Sequence, residues 1–216
     1  QTCALPIFSL LFSIIKYFMI LFIFDFDNTL GDAYGPYGEG NIFRTKTLPD
    51  VEKATEIYAK YRRWPDDILV YEKLLKELNI HNPEQFFINA GMPNQLFPDV
   101  IPFLTKLQNI PNVKTVILTA GDELFHEMKV RITGANKLVN QVVVTRIRNK
   151  IEIIRRIIAH YEPESTVFID DRIHMTPADF DTPVTIYDMD RTHTKEWEFV
   201  IHELSELPLE KLLWTK

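Results

Sequence analysis

Cysteine is almost absent from this chain of 216 residues. Cys3 is the only one, so no intrachain disulfide can form, and a reducing compartment such as the cytoplasm is expected. The six histidines show no zinc-ligand spacing around that single cysteine. We therefore interpret the histidines as surface or packing residues.

Basic residues are also fewer than acidic residues. The chain has 30 acidic and 24 basic residues, which gives a net charge of −6. Nucleic acids and anionic membranes bind basic surfaces, so neither is expected as a partner along a broad face, although a local basic pocket could still hold one phosphate group. The length suits one domain, or one domain with a modest insertion.

An almost continuous apolar run occupies residues 4–24. About 20 apolar residues can cross a membrane as a helix, but the end of this run, Leu21–Phe24, leads directly into the acidic segment that begins at Asp25. A buried strand cannot also lie in lipid, so a strand is the preferred interpretation. The chain opens with Gln1, and Met19 is a suitable start just before the strand. We therefore predict that residues 1–18 are a non-native or disordered leader, with a native hydrophobic anchor as the alternative.

Short apolar runs predict the strands of a parallel sheet. Such continuous runs are typical of strands that are covered on both faces. Helical patterns at Val100–Leu107 and Ile151–Tyr161 lie between some of them, and this alternation predicts an α/β fold with a doubly wound, Rossmann-like parallel sheet. The predicted strands are Leu21–Phe24, Val113–Leu118, Gln141–Thr145, Thr166–Ile169 and Val184–Tyr187.

One long segment interrupts this alternation. Between Leu30 and Val113 the sequence shows no convincing strand, whereas residues 50–64 and 66–78 have helical patterns and a third helix is expected from Pro83. A compact domain does not leave so long a stretch unstructured. We therefore predict a core formed by residues 19–32 and 93–216, with a small helical insertion at 33–92 that is reached through a glycine-containing hinge at 31–40.

Two carboxylates lie two residues apart at the end of the first predicted strand. Residues i and i+2 of a strand share a face, so Asp25 and Asp27 should lie together at the carboxyl edge of the sheet, where open α/β sheets bind ligands. Burying two ionised carboxylates is costly unless a cation compensates. Mg²⁺ suits the pair because it binds carboxylates, phosphate oxygens and water. The alternative is a structural role in a turn.

Polar groups also follow the next two predicted strands. Thr119 precedes the small residues Ala120 and Gly121, and its hydroxyl could bind a phosphoryl oxygen; a turn or helix-cap role is the alternative. Lys150, at the start of a predicted helix, is the candidate phosphate-binding cation. Its neighbouring rivals are Arg146, Arg148, Arg155 and Arg156.

Two adjacent acids close a fourth apolar strand. Asp170 could coordinate a metal while Asp171 orients the ion or its water. The order of these four groups along the chain is more informative than any one of them, because independent signals agree.

In that order the motifs resemble those of the haloacid dehalogenase-like (HAD) phosphatase superfamily. The strand followed by Asp25-x-Asp27-x-Thr29 is similar to the first motif of the family, and Thr119, Lys150 and Asp170-Asp171 are similar to its other three. The resemblance covers most of 19–190 and implies that the insertion is a C1-type helical cap. Many members carry the second acid of the last motif a few residues downstream; the adjacent pair here leaves the role of Asp171 less defined.

The resemblance and the chemistry together imply a mechanism. Asp25 would attack phosphorus to form an aspartyl-phosphate, while Asp27 would protonate the leaving oxygen and then activate water. Asp25, the backbone carbonyl of Asp27 and Asp170 would hold Mg²⁺. Thr119, Ala120 and Lys150 would bind the phosphate. The dehalogenases of the family lack an acid at the second position, so Asp27 favours a small phosphorylated substrate.

Other readings stay open at this point. Receiver domains share an acidic cluster, a threonine and a lysine, but their lysine comes last and they lack a large insertion. A non-catalytic or regulatory binding protein would keep the fold, and a phosphotransferase or phosphomutase would differ only in the acceptor of the phosphoryl group.

Overall fold

The computed structural model describes residues 18–46, 51–63, 68–69 and 71–214. Residues 1–17, most of the predicted leader, lie outside this range. Within the described part of the chain, no helix is both long and apolar enough to cross a membrane.

A parallel sheet of six strands forms the centre of the fold. Its spatial order is β5-β4-β1-β6-β7-β8, so the chain crosses over between strands as in a doubly wound α/β fold. All five predicted strands are present. The bounds are β1 Ile20–Phe24, β4 Val113–Ala120, β5 Gln141–Thr145, β6 Ser165–Asp170, β7 Val184–Met189 and β8 Val200–Ile201.

Every residue of β1 is buried because helices cover both faces of the sheet. Ile20, Phe22 and Phe24 belong to one apolar cluster, and Leu21 and Ile23 belong to another. Helix α5 (Val100–Gln108) packs in the first cluster and helix α7 (Ile151–Tyr161) in the second, close to the bounds predicted for both. Helix α6 (Glu123–Ile132) follows β4 and was not predicted, and α8 (Leu209–Trp214) is the last described helix.

The insertion differs in detail from its prediction. The first helix, α1 (Glu39–Lys46), begins within the expected hinge. Helix α2 (Val51–Lys60) is shorter than the predicted 50–64, and α3 (Tyr71–Glu77) starts five residues later than the predicted 66. The expectation of no strand between Leu30 and Val113 was wrong, since Arg62–Arg63 (β2) and Ile68–Leu69 (β3) pair antiparallel. Helix α4 (Pro83–Asn89) begins at Pro83, as predicted.

An aromatic cluster joins the insertion to helix α6. The rings of Tyr71 and Phe125 stack at 3.6 Å with an interplanar angle of 4°, and the Phe87 ring meets the Phe125 ring edge-on at 5.2 Å. Such pairs stabilise a fixed arrangement beyond their buried area. The insertion therefore rests on the helix that follows β4. That contact places it next to the carboxyl edge of the sheet.

The chain leaves and re-enters the core at a single place. The amide of Asp32 donates to the carbonyl of Gln95 at 2.9 Å, and the amide of Phe97 donates to the carbonyl of Leu30 at 3.0 Å. These two bonds close the insertion at its base, close to the predicted boundaries of 33 and 92, which remain a prediction.

Candidate active site

The carboxyl ends of β1, β4 and β6 bring the predicted groups to one edge of the sheet. Phe24 pairs with Ile117 on one side and with Ile169 on the other, so the residues that follow each strand become neighbours. The amide of Asp25 donates to the carbonyl of Ile169 at 2.8 Å and fixes the start of the loop. In the loop that follows, the carbonyl of Phe26 accepts hydrogen bonds from the amides of Thr29, Leu30 and Gly31, so the chain turns sharply.

Lys150 forms a buried bridge between two of the acids. Its Nζ donates to Asp25 Oδ1 at 2.5 Å and to Asp170 Oδ2 at 2.7 Å, and all three side chains are at most 8% exposed. Lys150 is the residue just before α7, and the helix holds its backbone at the edge of the sheet. Burial disfavours its charge, but the two carboxylates outweigh burial and raise the pKa of Lys150 above its usual range.

Three carboxylates are close enough together to share a cation. Oxygen atoms of Asp25, Asp170 and Asp171 all lie within 4.8 Å of one another. Burial and the neighbouring acids raise the pKa of Asp25 well above its usual range, although the Lys150 ammonium opposes this. Burial and the charge of Asp170 raise the pKa of Asp171 to about 6. Burial first, and the negative charge of the neighbouring acids second, thus disfavour the ionised forms of Asp25 and Asp171.

The carboxylate of Asp27 has a different partner. Lys129 Nζ donates to both of its oxygens, at 2.6 and 2.7 Å, and also to Glu39 Oε2 at 3.2 Å. Lys129 is fully buried, and the rings of Phe26 and Phe125 lie 5.3 and 5.4 Å from its Nζ. Burial opposes ionisation of Asp27, but Lys129 outweighs burial and lowers the pKa of that carboxyl. The ion pair between Asp27 and Lys129 is thus separate from the three-acid cluster.

His126 lies directly behind the predicted phosphate ligand Thr119. The hydroxyl of Thr119 is 2.9 Å from His126 Nδ1, and both residues are buried. Burial and the nearby charge of Lys129 lower the pKa of His126 to about 3, so the ring is neutral at pH 7. If Nδ1 carries the ring proton and donates to Oγ1, the Thr119 hydroxyl can donate its own proton to a ligand oxygen.

A cavity of about 470 Å³ opens above these groups. All of the predicted site residues and Gly121 line it; the predicted ones are Asp25, Asp27, Thr119, Ala120, Lys150, Asp170 and Asp171. Arg146, Arg148 and Arg172 supply positive charge at the wall, and the insertion supplies three tyrosines, Tyr34, Tyr58 and Tyr71. The volume is in the range of small-molecule sites.

Comparison with solved structures finds the same arrangement of elements in known proteins. A HAD phosphatase from Thermococcus onnurineus has 20% identity and a TM-score of 0.64, covering 91% of this chain and 98% of its own. The HAD-hydrolase YfnB from Bacillus subtilis, solved bound to magnesium, has 16% identity and a TM-score of 0.57, covering 91% and 99%. An L-2-haloacid dehalogenase from Xanthobacter autotrophicus has 13% identity and a TM-score of 0.57, covering 92% and 100%.

The chain has the HAD fold. Neither the protein-family models nor the curated proteins give a match, so the fold is established by three-dimensional similarity at low identity. This confirms the predicted α/β class and, at the level of the fold, the predicted resemblance to HAD proteins. The solved structures include both a phosphatase and a dehalogenase, and the fold is compatible with either chemistry.

Within the HAD fold, the predicted site residues meet at the cavity. Asp25, Thr119, Lys150 and Asp170 are all at most 6% exposed and line its floor. Asp171, predicted only as a supporting residue, contributes an oxygen to the three-acid cluster, and Asn28 Nδ2 donates to it at 3.3 Å. The Asp27 carboxylate is outside that cluster, so its predicted part in metal binding rests on its backbone carbonyl. These roles remain predictions.

Three side chains of the site were not predicted from the sequence. Lys129 and His126 lie on the unpredicted helix α6, and Glu39 lies on the unpredicted helix α1. His126, interpreted with the other histidines as a surface or packing residue, is buried and is also bonded to Thr119. One signal was available: at three-residue spacing, His126 and Lys129 share a face of a helix that begins just after Thr119.

Proposed function

We propose that this protein is a magnesium-dependent phosphomonoester hydrolase that acts on a small phosphorylated metabolite through an aspartyl-phosphate on Asp25. The observation that supports it best is the position of Asp25. It is a buried carboxylate at the end of a central strand, 2.5 Å from an ammonium and beside two further acids. A buried nucleophile with charge-compensating groups around it is the arrangement that covalent phosphoryl transfer requires.

The donor set of the three-acid cluster fits Mg²⁺. Asp25, Asp170 and Asp171 offer only carboxylate oxygens, which hard divalent cations prefer. The raised pKa values of Asp25 and Asp171 indicate a deficit of positive charge. We expect these residues, with the backbone carbonyl of Asp27, to hold the ion. When bound, Mg²⁺ would neutralise charge on the phosphoryl oxygens.

In the first step an oxygen of Asp25 attacks phosphorus. The new O–P bond forms as the ester O–P bond breaks, and the electron pair of the broken bond stays on the leaving oxygen. Lys150, already bonded to Asp25, and the Thr119 hydroxyl are placed to bind the phosphoryl oxygens. Lys150 also keeps the Asp25 carboxylate in one orientation, which lowers the cost of reaching the transition state.

In the second step water attacks the aspartyl-phosphate and restores Asp25. Asp27 is ionised in the resting site because Lys129 lowers its pKa, so it is ready to accept the proton of that water. In the first step the same carboxyl can protonate the leaving oxygen only after it has taken up a proton. The geometry therefore supports the role of Asp27 as a base more directly than its role as an acid.

The expected partner is a small phosphorylated substrate. The cavity volume and the basic wall formed by Arg146, Arg148 and Arg172 support this choice. The net charge of −6 supports the expectation that neither nucleic acid nor a membrane surface is bound broadly, and the single cysteine supports a cytoplasmic location.

The test is a panel of phosphomonoesters, including 4-nitrophenyl phosphate, assayed with Mg²⁺ and with excess chelator. We expect phosphate release that is lost with the chelator and restored by added Mg²⁺. A parallel arm offers 2-haloacids and measures free halide. Halide release without phosphate release would replace the phosphatase proposal by a dehalogenase, and no turnover in either arm would favour a binding protein.

A further inference from the structure

The least expected feature of the site is a fully buried lysine that no sequence motif indicated. Lys129 has an exposed fraction of 0%, yet its ammonium is bonded to two carboxylates from distant parts of the chain, 102 and 90 residues away. A buried ammonium is costly unless it is compensated, and the two carboxylates supply that compensation. At the end of the same helix, the hydroxyl of Thr133 donates to the backbone carbonyls of Lys129 and Val130.

The geometry of the contact restricts the Asp27 side chain. One Nζ reaches both carboxylate oxygens within 0.1 Å of the same distance, so both oxygens are directed toward the ammonium and the position of the carboxylate is restricted. The ammonium itself is held by helix α6, by the rings of Phe26 and Phe125, and by Glu39. Asp27 therefore has little freedom to rotate toward the three-acid cluster.

The second partner of Lys129 comes from the insertion. Glu39 is the first residue of α1, and it lines the same cavity as Asp27. The chain thus places one ammonium between a carboxylate of the core and a carboxylate of the insertion. Glu39 and Asp27 are therefore linked through the Lys129 ammonium.

We propose that Lys129 is a positioning residue for Asp27, and that Glu39 ties this positioning to the insertion. The inference rests on the proposed function, because it concerns the group that activates water in that mechanism. Lys129 is fully buried and does not line the cavity, so we do not expect it to contact the substrate. Its removal should therefore change the rate of turnover much more than substrate affinity.

The decisive experiment is a double-mutant cycle on kcat for 4-nitrophenyl phosphate with Mg²⁺. Lys129→Met removes the ammonium while keeping much of the side-chain volume. We expect it to lower kcat about 10²-fold, the scale for a misplaced catalytic group, with KM changed less than about threefold. In the Asp27→Asn background the same change should alter kcat less than about threefold, because a residue that acts through Asp27 has nothing left to position.

Arg131→Met is the matched control. Arg131 lies on the same helix two residues further on and is exposed, and it pairs with Glu84 of the insertion at 2.8 Å. Exposed ion pairs contribute little, so kcat should stay within about twofold of the wild-type value. Circular dichroism and thermal melting of each variant establish that it is folded.

A second variant keeps the inference testable if Lys129→Met does not fold. Glu39→Gln removes one charge near Lys129 and leaves the bonds to Asp27. It should lower kcat about threefold to tenfold, and this loss should also disappear in the Asp27→Asn background. Equal losses in both backgrounds, or a folded Lys129→Met protein with more than about a third of wild-type kcat, would overturn the positioning role. An inactive wild-type protein would instead overturn the proposed function, and the inference with it.

Discussion

Lys150 and Arg148 are both cations near the reacting carboxylate, but their environments differ. Lys150 is buried and bonded to Asp25 and Asp170, whereas Arg148 is exposed at the wall of the cavity. A preorganised donor in a buried site contributes far more to a transition state than a charge in contact with solvent.

Alanine at each position should therefore have unequal effects. We expect Lys150→Ala to reduce kcat/KM by about 10² or more, and Arg148→Ala to reduce it by less than about tenfold. Initial rates at saturating Mg²⁺ give both values. The reverse order would assign phosphate binding to Arg148.

The acids of the proposed metal site predict how its affinity depends on pH. The pKa of Asp25 is raised to about 8 and that of Asp171 to about 6, so Asp25 takes up a proton as the pH falls through about 8 and Asp171 takes one up as it falls through about 6. Mg²⁺ binds the deprotonated forms, and binding must release those protons. The affinity should therefore fall as the pH is lowered through these pKa values and rise as it is increased.

Calorimetric titration with Mg²⁺ at pH 5.5, 7 and 8.5 measures this dependence. We expect the Kd to decrease at least about tenfold from the lowest to the highest pH, the change for one proton released over one pH unit. Repeating the titration in buffers with different ionisation enthalpies counts the protons. A Kd that is the same at all three pH values, with no proton release, would show that the cluster is not the metal site.

At the scale of elements, the turn between β4 and α6 positions both Thr119 and His126. Gly121 lies in this turn, where its amide donates to the carbonyl of Thr145 at 2.8 Å. A Cβ atom at Gly121 would lie 2.0 Å from His126 Nε2, far inside contact distance. Only glycine leaves room there for the imidazole that is bonded to Thr119.

Gly121→Ala should therefore displace the ring and destabilise the protein by about 1–3 kcal/mol, the usual range for an overpacked core. Making Gly121→Ala in the His126→Ala variant separates the free-energy cost of the clash from other effects of the substitution. In that background alanine at 121 should cost less than about 0.5 kcal/mol of unfolding free energy, since the clashing ring is gone. Chemical denaturation of the four proteins measures the cycle, and equal costs in both backgrounds would rule out the clash with His126.

Helix α6 also shows why part of the site could not be predicted. Its buried residues are Phe125, His126, Met128, Lys129 and Val130, so two of the five are polar and the apolar pattern is broken. Helix α7 has a regular apolar face, with Ile154, Ile157 and Ile158 buried, and its bounds were predicted correctly. Amphipathic patterns predict helices that face an apolar core, and they fail for a helix that faces a polar site.

At the scale of the whole molecule, five of the six strands of the sheet were predicted, whereas the insertion was predicted only in part. Strands of a doubly covered sheet are continuous apolar runs, and their carboxyl ends meet at one edge whatever their order. The groups at strand ends could therefore be expected to meet. The Lys129–Glu39 contact joins an unpredicted helix of the insertion to an unpredicted helix of the core, and no local pattern predicts such a pairing.

The proposed function depends most directly on the phosphorylation of Asp25 during turnover. Mixing the protein with excess 4-nitrophenyl phosphate and Mg²⁺, quenching in acid, and reducing with borohydride would convert an aspartyl-phosphate to homoserine. We predict that peptide mass analysis finds this conversion at Asp25 only, and that Asp25→Asn shows neither the product nor more than about a hundredth of wild-type turnover. Turnover by the wild-type protein with no modification at Asp25, or by Asp25→Asn above that level, would contradict the covalent mechanism.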